Sequence, residues 1–175
     1  MYSININNLP NSLNKETFIS EKIVNKNFDI EFIYGSNFKN TKILRHFMEV
    51  ICLKLSLPNK EISKLILIVD ELNNNAIEYW TDSAWENKLR IKTIKNKKNI
   101  DIIVEVEGNG RGISPKTALE METLRAHQLR LWYWNHESIR WRGLFMIIVK
   151  SVDRLYFKDT SKWGLIVWIK KSIKL

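Results

Sequence analysis

LILIVDELNNNAIEY, Leu65–Tyr79, is an apolar run that turns polar without changing its period. Leu65, Ile68, Val69, Leu72, Ala76 and Tyr79 recur at steps of three and four, the spacing that places side chains on one stripe of an α-helix. Glu71 and Asn75 lie four apart, so they project side by side one turn up the same helix. A carboxylate beside an amide oxygen, at the rim of an apolar stripe, suits a divalent cation and an attacking hydroxyl. A solvated polar edge of an amphipathic helix has the same spacing, so this stretch alone leaves both readings open.

Upstream, FDIEFIY at 28–34 alternates as a strand does and is closed by Gly35. From about Asn37 to Leu57 the pattern is helical, with Phe38, Ile43, Leu44, Phe47, Val50, Ile51 and Leu55 on one face. His46 within it reads as a surface or packing residue. Pro58-Asn59 ends that helix, and Asn59 is placed to cap the next. Residues 1–27 are polar and asparagine-rich, and read as a loose N-terminal arm or a cover strand.

Downstream, Leu89–Ile94 and Ile100–Val106 read as strands joined by KNKKN, a hairpin signal. EGNGRGISP, 107–115, holds the chain's only glycine cluster. A helix is expected from near Ser114-Pro115, since proline suits a first helical position. Residues 124–142, with Trp132, Tyr133, Trp134 and Trp141, read as an irregular lid. An apolar helix at about Gly143–Val152 and strands at Arg154–Lys158 and Leu165–Lys170 complete the chain. This order predicts an α+β fold: a two-layer α/β sandwich, mixed but mainly antiparallel, with helices on one face and one domain over 28–175.

At 175 residues the chain is long enough to bury a proper core. Its apolar runs fall short of the ~20 residues that span a bilayer, and the N-terminus lacks a basic start followed by an apolar core. A single cysteine, Cys52, excludes an internal disulfide and reads as a buried small hydrophobe. These features lead us to expect a cytoplasmic protein with no membrane role. The net charge of +9 comes from lysines scattered along the sequence, not from one basic stripe with interleaved aromatics, so a nucleic-acid partner is not expected.

Three segments, in this order, resemble the boxes of the ATPase superfamily shared by gyrase, MutL and histidine kinases. ELNNNAIEY resembles Glu-x-x-x-Asn-Ala, GNGRGI at 108–113 resembles Asp-x-Gly-x-Gly-Ile, and WRGLFMIIVKSVD at 141–153 resembles Gly-x-Gly-Leu followed by a helix. Any one box is weak evidence; three in order are fairly specific. Within the superfamily the chain most resembles the bacterial anti-sigma-factor serine/threonine kinases, which lack histidine-bearing dimerisation helices. The resemblance implies a Bergerat-type fold and the cofactors ATP and Mg²⁺. It makes Glu71 the catalytic residue that orients or deprotonates the attacking hydroxyl, and Asn75 the Mg²⁺ ligand. It lets Gly110 and Gly112 approach adenine and ribose, and sets Glu78, Tyr79, Gly108 and Ile113 along the nucleotide. Arg142, Gly143, Leu144 and Phe145 would open a helix whose free N–H groups face the phosphates. The implied partners are a small antagonist protein, which would be phosphorylated, and a sigma factor; a homodimer is also implied. A non-catalytic regulatory module of the same fold, acting by partner binding, is the alternative reading. A detached histidine-kinase ATPase domain with a His-bearing partner is a third.

The sequence departs from the family in two ways. Gly108 stands where the second box begins with Asp, whose carboxylate accepts from the adenine amino group; Glu107, its neighbour, belongs to the opposite strand face. There are also seven tryptophans against six glycines. Trp141 stands at the first glycine of Gly-x-Gly, Trp80 follows the Asn-Ala box where the family often has glycine, and Trp163 precedes Gly164 where it often has a glycine pair. Trp85, Trp132, Trp134 and Trp168 complete the set. An indole cannot replace a glycine chosen for free backbone angles. Reading all seven as glycine restores the ~7% of an ordinary chain. We therefore read them as UGA codons, which some bacterial lineages translate as glycine. Genuine tryptophans in the core or on a partner-facing patch are the alternative.

Overall fold

The computed structural model describes residues 1–10, 12–82, 85–112, 115–131, 151–161 and 163–174. Its strands are β1 (Tyr2–Asn5), β2 (Phe28–Gly35), β3 (Glu86–Lys95), β4 (Asn99–Gly108), β5 (Arg154–Asp159) and β6 (Leu165–Lys174). They form one sheet in the order β1-β2-β3-β4-β6-β5. The β1–β2 pair is parallel and the others are antiparallel. The helices are α1 (Lys15–Lys22), α2 (Phe38–Lys54), α3 (Asn59–Asn75) and α4 (Ala118–Leu131). The fold is the α/β sandwich that the element order predicts.

Alternation gives the sheet its two faces. Ile30, Phe32 and Tyr34 of β2, Leu89 and Ile91 of β3, Val104 and Val106 of β4, and Val167 and Ile169 of β6 are buried on the covered side. They meet the stripes of the two long helices: Leu44, Phe47 and Ile51 from α2, and Leu65, Ile68, Val69 and Leu72 from α3. Phe32 stacks on Phe47 with ring centres 5.3 Å apart. Fully burying one such side chain is worth ~1.5–3 kcal/mol, so this seam dominates the stability of the sandwich. The opposite sheet face is laced with ion pairs instead. Arg90 reaches Asp29 at 2.7 Å and Glu105 at 3.3 Å, and Lys170 reaches Asp101 at 2.7 Å. Cys52 is buried in α2, and burial pushes its thiol up to about 12.

Five local expectations need correction or sharpening. Of the two options for the N-terminus, the structure takes the strand: β1 lies beside β2, and α1 packs on α2. Phe38 is 53% exposed, because it is the first residue of α2 and lies before the stripe reaches the core. Asn59 does not cap α3. Pro58 holds the N-cap position, with its carbonyl taking the N–H groups of Glu61 and Ile62, and Asn59 is already helical. The helix after the glycine cluster begins at Ala118, not at Pro115. The signal that wins is a capping box: Thr117 Oγ1 accepts from Glu120 N, and Glu120 accepts from Thr117 N. Residues 124–131, expected to be irregular, are the second half of α4. The rest of the expected lid, 132–142, lies outside the described residues.

Candidate nucleotide site

The helix that carries the opening motif does not stop at Asn75. It passes into a π-helical segment, Ala76–Trp80, which widens the turn where the apolar stripe ends. Single π turns inside α-helices recur at functional sites. Glu71 is half-buried one turn before this point. Burial, and then the neighbouring Asp70 carboxylate, hold the Glu71 carboxyl above the ordinary glutamate range.

The three consecutive asparagines have different duties. Asn73 serves the fold: its Oδ1 accepts from the Tyr34 hydroxyl, and its Nδ2 donates to Val69 O at 2.6 Å. Asn75 is only 9% exposed, yet its Nδ2 has no partner. A buried amide without a partner costs about 1–3 kcal/mol. An unpartnered donor of this kind is available to a ligand. Among the described residues no group of three or more His, Cys, Asp or Glu could hold a metal ion. Mg²⁺ in phosphoryl-transfer sites takes one or two protein ligands plus phosphates and water, so a single amide oxygen from Asn75 fits that role.

The glycine loop packs against the far end of this helix. Gly110 has φ +73°, and a Cβ there would lie 1.7 Å from the Trp163 carbonyl oxygen. A Cβ on Gly112 would lie 2.2 Å from Tyr79 O and 2.7 Å from Thr81 N. Protein backbone therefore fills the space that each missing side chain leaves. Gly108 ends β4 on the covered face, paired with Leu165. Glu107 faces the open side and pairs with Lys88 at 3.3 Å, so it cannot supply the acid that 108 lacks.

A small polar cluster ties these pieces together. Asn109 N donates to Thr81 Oγ1 at 3.3 Å, and the Thr81 hydroxyl donates to Asn87 Oδ1. Asn109 Oδ1 accepts from Arg111 N at 2.9 Å, and the Arg111 guanidinium lies 4.6 Å over the Trp85 ring. A cleft of about 500 Å³ opens here, with Phe38, Ile77, Glu78, Thr81, Arg111 and Gly112 in its wall. It brings Glu78 and Gly112 together but does not include Glu71 or Asn75. Glu78 accepts from its neighbour's hydroxyl, Tyr79 Oη, at 2.8 Å. Ile113, Arg142, Gly143, Leu144 and Phe145 lie outside the described residues.

Asn87, Thr81 and Asn109 were not among the residues that the sequence singled out. Asn87 was open to discovery: it shares the inward parity of Leu89 and Ile91, where an amide is out of place. Thr81 and Asn109 carry no signal of their own, because their roles depend on a contact between segments 28 residues apart.

No family model matches the chain, and no curated protein matches it. Among solved structures it is similar to a chain in the crystal structure of the SiaB-SiaC complex from Pseudomonas aeruginosa. The identity is 11%, the match covers 95% of this chain and 99% of that one, and the TM-score is 0.49. A likeness of that degree carries no argument about chemistry.

Proposed function

We propose that this chain is a nucleotide-dependent serine/threonine protein kinase of the anti-sigma regulator type, using ATP and Mg²⁺ and acting on a small antagonist protein. One observation carries the reading. A glutamate whose carboxyl is lifted by burial stands one helical turn from a buried asparagine whose amide is unpartnered, on a helix whose far end is clamped to a glycine loop. Phosphoryl transfer asks a protein mainly to position groups and neutralise charge. Asn75 would offer Oδ1 to Mg²⁺ and Nδ2 to a phosphate oxygen. Bound Mg²⁺ would supply the charge neutralisation. Glu71 would orient the substrate hydroxyl and take its proton, a task for which a carboxyl held above its ordinary range by burial is better suited than an ordinary one.

The test is incubation with ATP, Mg²⁺ and a panel of small candidate partner proteins, with phosphoserine and phosphothreonine read by mass spectrometry. Transfer that disappears in Glu71→Ala while partner binding persists is the expected result. Absence of transfer to every partner, with tight partner binding that ignores nucleotide, would favour the second reading, a non-catalytic regulatory module. The observation on that side is Gly108, which offers no acceptor where the resemblance calls for one.

A further inference from the structure

At the end of the sheet opposite the glycine loop, large apolar side chains that the fold leaves exposed gather around one groove. Met1 is 75% exposed and Val24 82%, and Tyr2 and Ile94 are exposed as well. All four line a hollow of about 470 Å³ between the start of β1, the turn from α1 into β2 and the end of β3. Exposed hydrophobes scattered singly are ordinary, but a contiguous set around a concavity marks a contact surface. The groove lies where β2 begins, and the cleft at Ser36 and Gly112 lies just past its other end. The 8 residues of that strand, roughly 23 Å at ~3.3 Å per residue, separate the two.

The polar groups in the wall say what the groove would take. Those of the turn are already spent. Thr93 Oγ1 donates to Lys26 O at 2.8 Å and accepts from Phe28 N at 3.2 Å, and Asn25 Oδ1 accepts from Asn27 N at 2.8 Å. Asp29, across the ladder from Lys92, is held by Arg90 at 2.8 and 2.7 Å. What remains is cationic. Lys22 and Lys92 stand in the same wall, and neither forms an ion pair among the described residues; the Lys22 ammonium lies 5.5 Å over the Phe18 ring. An apolar centre with a charged edge is the anatomy of a protein interface, and the sign of the edge selects an acidic partner.

We propose that this groove docks an acidic segment of a partner protein. One large apolar side chain of the segment sits among Tyr2, Val24 and Ile94, and flanking carboxylates meet Lys22 and Lys92. Two other occupants fit less well. A second copy of this chain in a two-fold contact would set one positive edge against another, on chains that each carry a net charge of +9. A bilayer takes up apolar side chains that project from one face, whereas these surround a hollow. The groove uses no residue of the helix that carries Glu71 and Asn75, so its failure would leave the nucleotide reading untouched.

The experiment is affinity selection of random phage-displayed peptides on the full chain. The enriched peptides are then synthesised and measured by fluorescence anisotropy against the parent, Val24→Asp and Lys22→Glu. They are expected to carry a net negative charge around one aromatic or long aliphatic residue. Each substitution should weaken their binding about tenfold, Val24→Asp by placing a charge in the apolar wall and Lys22→Glu by reversing the edge. Binding to the parent should also weaken as salt rises. Both side chains are exposed, so both variants should melt with the parent. Selection of neutral or basic peptides, failure to enrich any peptide, or acidic peptides that bind both variants as tightly as the parent would overturn the inference. Binding of the parent to phosphatidylserine vesicles that Val24→Asp abolishes would overturn it in favour of a bilayer. A parent dimer in analytical ultracentrifugation that Val24→Asp dissociates would overturn it in favour of a second copy.

Discussion

Trp163→Gly should stabilise the protein. Trp163 has φ +64° and is 90% exposed, in the turn between β5 and β6. That backbone conformation costs a non-glycine residue about 1–2 kcal/mol, because Cβ crowds the adjoining carbonyl. The indole returns little, since almost none of it is buried. The turn itself is held by groups that the substitution keeps: Thr160 N donates to Gly164 O, and Gly164 N donates to Thr160 Oγ1, both at 2.8 Å. Against the relief stands the extra freedom that glycine gives the unfolded chain, about 0.4–1 kcal/mol. The net gain is therefore roughly 0.5–1 kcal/mol. For a chain of this size that raises Tm by about 1–4 °C. Denaturant melts and scanning calorimetry would read it. Trp163→Ala separates the causes: it removes the indole but keeps Cβ, and should leave stability where it was. Ser56→Gly is the internal control. Ser56 has φ 58° at the end of α2, where Leu57 N bonds Cys52 O and Ser56 N bonds Leu53 O, a Schellman cap whose left-handed position usually holds glycine. If Ser56→Gly stabilises and Trp163→Gly does not, the strain argument at 163 is wrong, and the indole is held by something other than its backbone. The gene adds an independent check: a UGA codon at 163 is expected, and UGG there would end the glycine reading.

Three further outcomes follow from the site and the sheet. Glu71→Gln should melt higher than the parent at neutral pH. The folded carboxyl is raised by burial, so the stability it contributes is present below the unfolded value and lost as pH rises through the folded one; the gap should close below about pH 4.5 in paired thermal melts. Gly112→Ala should cost about 3 kcal/mol or more and loosen the loop, because its Cβ would enter the Tyr79 and Thr81 backbone; urea unfolding would show it, and a cost under 1 kcal/mol would contradict the packing. Asp29→Asn should lose about 0.2–1 kcal/mol at neutral pH, where Arg90 holds the Asp29 carboxyl below the ordinary range. That contribution is present above the unfolded value and fades as pH falls below 3.8, so the two proteins should converge in acid.

The elements that were legible from the sequence are those whose period is imposed by a large buried face. α3 was readable because Leu65, Ile68, Val69 and Leu72 all meet the sheet, and β2, β3 and β4 because every second residue does. β1 was only half legible: its four residues gain their place from hydrogen bonds to β2, which leave no pattern in the sequence itself. The start of α4 was misplaced because proline at 115 is a local signal, while the capping box at Thr117 and the Asp159 carboxylate on Ala118 N are tertiary as well as local. Within Asn73–Asn75, spacing could not separate the asparagine that braces Tyr34 from the one with an idle amide. That difference depends on what lies opposite each side chain, not on the helix that carries it.

The glycines of the loop teach the same lesson from the other direction. The resemblance marks Gly110 and Gly112 as residues that let a ligand come close, and in the structure another part of the chain also comes close to each. Gly110 abuts the Trp163 carbonyl, and Gly112 abuts the end of the π-helical segment. The loop is thus wedged between the β5–β6 turn and the helix that carries Glu71 and Asn75. A change in backbone angle at 163 moves the carbonyl that Gly110 touches, and a shift of Gly110 is passed along the loop to Gly112 and on to Tyr79 and Thr81. Residue 163 lies far along the chain from the opening motif, but it bears on that motif's geometry through two contacts that tolerate no Cβ. The identity of the residue at 163 is for this reason a question about the site and not only about a turn.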